Sequence, residues 1–346
     1  MEKETITFAD QEIANRLASR RHFLKDMETL IDWKRIRKIL SKVELRRHSV
    51  AGRDAFSAEL MFRIMLIQQW YQLSDYQMEE QLYYNNMFLW FCHLSMDNPV
   101  PDHSTICRWR ARFSQKDVYN KLLDEINRQM GKHGIKITDG VIVDATLVES
   151  KARPRRKEIV ETEPVGDDDI PGIPTYQATE LSVEESRDPD ARWVKKGTKS
   201  VYGYKGHALV DKAHGLVQAL AVTQANVYDG HMLMPLVESV DLPEETEVLA
   251  DKGYCSQENE DGLTAKNPVS RIMRKKKKNQ PVDAELVAYN RGISKERYRI
   301  ECSFGGLKKH FGWSRSIYMG LQNTSNYLLM GAIAFNLKRG LKILRT

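Results

Sequence analysis

The 346-residue chain predicts an α+β, or mixed α/β, protein: a helical N-terminal part followed by a sheet with helices on its faces. Three observations carry this prediction. From residue 10 to residue 130 apolar residues recur at three- and four-residue intervals, the period of an amphipathic helix. After Gly134 the pattern changes to Val-, Ile- and Tyr-rich stretches with alternating apolar positions, the signature of strands. Toward the C-terminus, helical and strand-like segments alternate, which places helices against a sheet.

The elements follow in order. AELMFRIMLIQQWYQL (58–73) and DVYNKLLDEINRQMGKHG (117–134) read as helices, and Gly131 and Gly134 punctuate the end of the second. GVIVDATLVES (140–150), YGYKGHALVD (202–211) and GLVQALAVTQA (215–225) read as three strands able to form a meander. DGHMLMPLVESV (229–240) reads as a helix, TEVLAD (246–251) as a short buried strand and PVSRIM (268–273) as another. A long helix over about residues 290–311 and a last one near 324–342 complete the chain. Domains are expected at 1–136 (helical) and 137–346, the second with a flexible insertion at about 153–196.

Composition narrows the function classes. Cys92, Cys107, Cys255 and Cys302 stand alone, without a CxxC pair, so a disulfide framework or structural zinc site is not expected and a reducing cytoplasm fits. The opening MEKETITFADQEIANR lacks the apolar core of a signal peptide. The longest apolar run, Tyr327 to Phe335, falls far short of the ~20 residues a membrane span needs. No GxxxxGK[ST] occurs, so ATP use is not expected, and no GxSxG or Cys/His nucleophile pattern appears. A soluble cytoplasmic protein is the expectation.

Charge is unevenly distributed. Residues 266–346 hold 18 Lys and Arg against 4 Asp and Glu, whereas residues 158–190 hold one Arg against 11 acids. The basic part calls for a polyanionic partner. The acidic stretch has scattered Pro and Gly without apolar period and reads as a mobile insertion.

LSDYQMEEQLYYN (73–85) and PDHSTICRWRARFSQ (101–115) form a candidate helix-turn-helix, with Arg108, Arg110 and Arg112 beside Trp109 on the second helix. Their separation exceeds a tight turn, and Trp109 and Phe113 read as core. Three acids stand out further on. Asp144 lies inside the most apolar strand, where an ionised carboxylate needs a cation or metal beside it. Asp251 ends another buried strand, and Glu301 falls on the long C-terminal helix. Such oxygen donors suit Mg²⁺, which keeps open positions for phosphate. Taken singly, each acid also has an ordinary explanation as a cap, an ion pair or an exposed position.

Helical geometry places Glu301 at the rim of a core. At about 100° per residue, Ile293, Ile300, Phe304, Leu307 and Phe311 share one narrow stripe. With Ile293 at zero, Arg297 lies near ~40°, Lys308 near ~60° and Glu301 near ~80°. Arg297 and Lys308 are therefore placed to hold phosphates on either side of the acid, while the plain alternative is an i, i+4 pair of Arg297 with Glu301. His207, His231 and Asp229 stand at strand ends or helix starts and read as surface histidines and a polar cap, the alternative being a DNA-facing role or support of the metal-binding acids.

VDATLVESKARP, KKGTKSVYGYKGH, TQANVYDGH, ADKGY and RYRIECSFGGLKKHFGWSRSIYMGL together resemble the catalytic region of the IS5 family of DDE transposases, over roughly residues 50–340. The resemblance implies an RNase H-like catalytic domain in which Asp144, Asp251 and Glu301 bind two Mg²⁺ ions, with Mn²⁺ able to substitute. It also implies a Tyr-x2-Arg-x3-Glu-x6-Lys signature, matched here by Arg297, Glu301 and Lys308 but with Ser294 at the tyrosine position; Tyr298 and Tyr289 are the nearby replacements. The expected partner is double-stranded DNA, as terminal inverted repeats and target, held by a homodimer in the nucleoid. Arg297, Lys308, Lys309, Lys252, Arg108, Arg110 and Arg112 are the candidate DNA contacts. A non-catalytic DNA-binding protein and a structure-specific metal-dependent nuclease are the rival readings.

Overall fold

A computed structural model describes residues 8–45, 55–116, 118–154, 164–165, 175–176, 187–196, 198–276 and 283–346. Among these, helices fill the first part: α1 (Phe8–Ala18), α2 (Phe23–Leu30), α3 (Trp33–Leu40), α4 (Ala58–Tyr71), α5 (Asp75–Tyr84), α6 (Asn86–Phe91), α7 (His103–Gln115) and α8 (Val118–Lys132). α4 is the centre of this part: from Ala58 to Trp70 every residue but Glu59 is buried, as expected of a helix apolar nearly all round. Its start is fixed by Ser57, whose hydroxyl accepts from Leu60 N at 3.2 Å. α5 begins with a reciprocal capping box between Ser74 and Gln77, and α7 with Asp102 accepting from Thr105 N at 2.6 Å.

The remaining elements are β1 (Val141–Glu149), β2 (Pro164–Val165), β3 (Thr175–Tyr176), β4 (Arg192–Lys196), β5 (Lys199–Asp211), β6 (Val217–Gln224), α9 (Leu233–Glu238), β7 (Glu247–Ala250), α10 (Gln257–Ala265), β8 (Val269–Ile272), α11 (Ala284–His310) and α12 (Leu321–Leu344). Among the described residues, β2 and β3 pair only with each other. β1, β5 and β6 form the expected antiparallel meander, and β7 then β8 extend it in parallel beside β1. The resulting order β6-β5-β1-β7-β8 is the RNase H-like arrangement, with β4 pairing to the first half of β5.

The pleat assigns the two faces. Ile142 and Val148 of β1, Tyr204, Ala208 and Val210 of β5 and Leu249 of β7 join a core with Ile293, Ile300 and Phe304 of α11. Val141, Val143, Leu209, Val248 and Ala250 join a second core with Leu233 and Leu236 of α9 and Leu263 of α10. The first core runs on into the N-terminal helices through α12. Trp70 Nε1 donates to Ala334 O at 3.0 Å, and buried Asn336 donates to Asn127 Oδ1 at 2.8 Å and Val217 O at 2.7 Å. The expected domain boundary at 136–137 falls in the link between α8 and β1.

Some expectations change. The segment 229–240 divides into a 3₁₀ turn (Asp229–Met232) and α9, with Pro235 confined to the first turn, where its missing N–H costs no helical bond. α11 starts at Ala284 rather than near 290, because Asp283 caps it through Glu285 N at 2.9 Å. Most of the acidic insertion lies outside the described residues. Its end, however, is not loop: Arg192–Lys196 is an edge strand, and Asp188 is fully buried. Asp188 accepts from the Ser150 and Tyr204 hydroxyls and from Gly320 N at 2.9 Å, fastening this end of the insertion to β1, β5 and the start of α12.

A buried cation organises the N-terminal core. Arg63 of α4, 1% exposed, pairs with Glu28 at 2.5 Å and Glu59 at 2.8 Å, and its guanidinium carbon lies 3.5 Å from the Trp33 ring centroid. Burial alone would push the Glu28 carboxyl up, but hydrogen bonds from His93 and Arg63 hold it down at about 2, from an ordinary 4.5. A depressed carboxyl contributes stability that is present above its unfolded pKa and lost as pH falls through the folded value. Glu28→Gln should therefore remove about 2–3 kcal/mol at neutral pH and abolish the part of the acid-unfolding slope between pH 4.5 and 2, read by thermal melts across that range.

Candidate active site

β1 places the first carboxylate. Residue parity puts Asp144 on the face of Ile142 and Val148, toward α11, opposite Ala208 of β5. On the other side β1 and β7 run parallel with Val143 beside Ala250. The next residues in that register are Asp144 and Asp251, so two carboxylates meet where β7 ends. Asp251 Oδ1 accepts from Lys252 N at 2.5 Å and caps the 3₁₀ turn Lys252–Tyr254, which fixes where the strand stops.

Asp144 is the most constrained of the acids. Its Oδ1 accepts from Ala145 N at 2.8 Å and its Oδ2 from Arg297 Nη2 at 2.8 Å. Burial pushes its carboxyl up, Arg297 pulls it down, and the charges of Asp251 and Asp229 push it up again. Asp229 stands in the loop after β6, with Lys205 Nζ 2.8 Å from its Oδ1. The loops holding Asp229 and Asp251 are clamped together: Tyr228 donates to Gly253 O, and Asn259 donates to Gly230 O at 3.0 Å and Tyr254 O at 2.8 Å. Tyr254, 2% exposed, has a hydroxyl without a hydrogen-bond partner among the described residues; burial and the charges of Asp144 and Asp229 push its pKa up.

Glu301 lies elsewhere on α11. Four residues advance a helix by about 400°, so Glu301 sits one turn beyond Arg297 and ~40° further toward solvent. It is exposed and lines a groove of about 560 Å³ with Met273, Asn290, Ser294, Lys295 and Tyr298. Among the described residues, no three His, Cys, Asp or Glu side chains gather closely enough to hold a metal. Asp144 and Asp251 are thus brought together with Asp229 near them, while Arg297 stands where Glu301 was expected. Ser294, at the signature's tyrosine position, shares its groove with exposed Tyr298; Tyr289 instead donates to Ile272 O at 3.4 Å.

The basic candidates divide in the same way. Arg297 is buried against Asp144 rather than turned outward to DNA. Arg110 pairs with Asp75 at 2.5 Å and donates to Gln68 at 3.1 Å, joining α7 to α5 and α4. Arg112 donates to the carbonyls of Val43 and Glu44. Arg108, Lys252 and Lys309 are exposed, and Lys308 is half-buried. α6 lies between the two helices of the candidate helix-turn-helix, which accounts for their long separation. His207 corrects the surface reading: it is fully buried, Nε2 lies 2.8 Å from Thr223 Oγ1, and burial pushes its imidazole down to about 4. Tyr254 went unassigned in the sequence, and Asp229 was read as a polar cap, although an acid at a strand-to-helix junction (TQANVYDGH) was the available sign.

Residues 135–337 match the family described as Transposase DDE domain, and residues 11–112 match Transposase domain (DUF772). The chain belongs to the transposase DDE-domain family. The similar solved structures include a piggyBac transposase synaptic complex with hairpin DNA (11% identity, 93% of this chain and 75% of that chain covered, TM-score 0.46). They also include the Mos1 strand transfer complex (13% identity, 79% and 84% covered, TM-score 0.20). DDE transposases use divalent metal ions to cut and join DNA. The oxygen donors of Asp144 and Asp251 suit a hard cation, and the buried Asp144 carboxylate already draws a positive charge to itself. No helix among the described residues is long and apolar enough to cross a membrane.

The Asp144–Arg297 pair makes a direct prediction. Arg297→Met leaves a buried carboxylate without its cation and should cost about 3–5 kcal/mol in the metal-free protein. Combining it with Asp144→Asn should recover much of that loss. Additive losses in the double-mutant cycle would show that the two side chains do not act as a pair.

Proposed function

We propose that this DDE transposase, a member of the IS5 group, binds the terminal repeats of an insertion sequence as a homodimer and cuts and joins them with Mg²⁺. The observation that carries the reading is the register that brings Asp144 of β1 beside Asp251, the first residue after the parallel strand β7. These two carboxylates would hold a pair of Mg²⁺ or Mn²⁺ ions, with Glu301 of the neighbouring groove as the third donor. Bound divalent ions supply Lewis-acid activation of the attacking oxygen and charge stabilisation of the leaving one.

The chain's own residues do the rest. Arg297 pulls the Asp144 carboxyl down against the burial that pushes it up. Lys252, next to Asp251, and Lys309, at the end of α11, present exposed charges to the phosphates flanking the scissile bond. Arg108 on α7 offers a further phosphate contact, whereas Arg110 and Arg112 serve the packing of the helical part.

Purified protein incubated with element-end duplex, target plasmid and Mg²⁺ tests this reading. Nicking followed by insertion is expected; nicking alone indicates a nuclease, and binding alone a non-catalytic protein. Asp144→Asn, Asp251→Asn and Glu301→Gln should each abolish both steps while end affinity stays within about twofold. Full activity in Glu301→Gln together with loss in Asp229→Asn would transfer the third position to Asp229. Lys252→Gln and Lys309→Gln should each lower the slope of log affinity against log salt by about 0.9.

A further inference from the structure

The turn between β5 and β6 holds a pair of cations that the proposed cleavage does not use. Gly215, with φ +72°, leaves no room for a side chain: a Cβ there would stand 2.8 Å from Ser303 Oγ, 3.0 Å from Arg339 Nη2 and 3.2 Å from Arg299 Cδ. Arg299 of α11 and Arg339 of α12 therefore meet over a single residue of the turn. Arg339 is half-buried, its Nε donates to His214 O, and its guanidinium carbon lies 5.7 Å from the Phe335 ring centroid. These contacts fix the guanidinium while neither Nη makes a hydrogen bond among the described residues. Arg299 is exposed and pairs with no carboxylate among the described residues. The acids close by in sequence are spent elsewhere. Asp211 Oδ1 accepts from Ala213 N at 3.0 Å and His214 N at 2.9 Å, and its Oδ2 from Leu216 N at 3.1 Å. Glu296 pairs with Lys212 at 2.5 Å and Arg271 at 3.0 Å. Burial and then the charge of Arg299 pull Arg339 below its ordinary pKa.

We infer that Arg299 and Arg339 form a phosphate-binding site, filled by a backbone phosphate of DNA on the flank of α11 turned away from Glu301. Like charges held together without an acid are costly, and an anion between them turns the repulsion into attraction. Guanidinium forks match the paired oxygens of a phosphate, and two of them can grip one group from two sides. The surroundings favour a polymer over a free ion. Lys295, one turn before Arg299, and Lys342, one turn after Arg339, are exposed and carry positive charge along both helices. An extended polyanion uses such a row, whereas a single ion needs only the pair. At about 100° per residue, Arg299 lies ~160° round α11 from Glu301, so the two side chains serve different faces. The DNA held here is a stretch apart from the scissile phosphate. It is gripped by its backbone alone, which sets register and carries no base readout.

The inference rests on the DNA-transposase reading, and its test runs without metal so that the two can fail separately. The full chain is titrated with labelled element-end duplexes in which one backbone phosphate at a time is replaced by a neutral methylphosphonate. One or two positions should cost the wild-type chain roughly 3- to 10-fold in affinity and cost Arg299→Gln and Arg339→Gln nothing further. With unmodified duplex, each variant should lower the slope of log affinity against log salt by about 0.9. Arg299 is exposed, so its variant keeps the test open if Arg339→Gln loosens the turn. A second arm adds inorganic phosphate to the DNA-free protein and reads its melting temperature. Stabilisation of the wild type but of neither variant, with no coupled position in the duplex, would overturn DNA as the occupant. Methylphosphonate losses that are the same in wild type and Arg299→Gln, with no effect of phosphate, would overturn the site. Failure to bind any duplex would overturn the DNA reading beneath it.

Discussion

A carboxylate in the middle of a buried strand has to be answered by positive charge, and much of this structure follows from that requirement. Asp144 sits on the central strand of the sheet, where burial favours its neutral form. Arg297 reaches it from α11 across the first core, so the longest helix is tied to the sheet at the proposed site. Ile293, Ile300 and Phe304 pack that helix down on either side of the contact. The same demand for positive charge makes the position a natural one for a divalent cation. Fold and site are therefore held by one electrostatic constraint.

The second constraint is the continuity of the core. α12 leaves the sheet side and lies against α4 and α8, with Trp70, Asn127 and Asn336 bonding across the junction. The N-terminal helices and the carboxylate-bearing sheet therefore share an interior, although a short link separates them in sequence. Asp188 does similar work at the other end, joining β1, β5 and the start of α12. The end of the acidic insertion becomes a structural clasp by this means.

Periodicity made most elements legible. The five strands over 141–149, 199–211, 217–224, 247–250 and 269–272 lie where alternating Val, Ile and Leu placed them. β4 was not legible, because an edge strand reading RWVKK carries the charge of a loop. Asp144 and Asp251 were conspicuous as acids in apolar strands, and parallel pairing explains their meeting. What periodicity could not supply is side-chain partnership between distant segments. Arg297 looked like a neighbour of Glu301 because they lie a turn apart, yet its partner is 153 residues away. Asp229 looked like a cap, and only the clamped loops show that it acts on Asp144. Arg110 looked like a DNA contact until Asp75 was found beside it.

If Asp144 and Asp251 together form the cation-binding position of this transposase, the DNA-free protein binds a divalent ion there. Mn²⁺ binding measured by electron paramagnetic resonance on the DNA-free protein tests it most directly. Saturable binding to the wild-type chain is expected, weakened at least ~10-fold in both Asp144→Asn and Asp251→Asn. Undiminished Mn²⁺ affinity in the two variants, with both still folded, would contradict it.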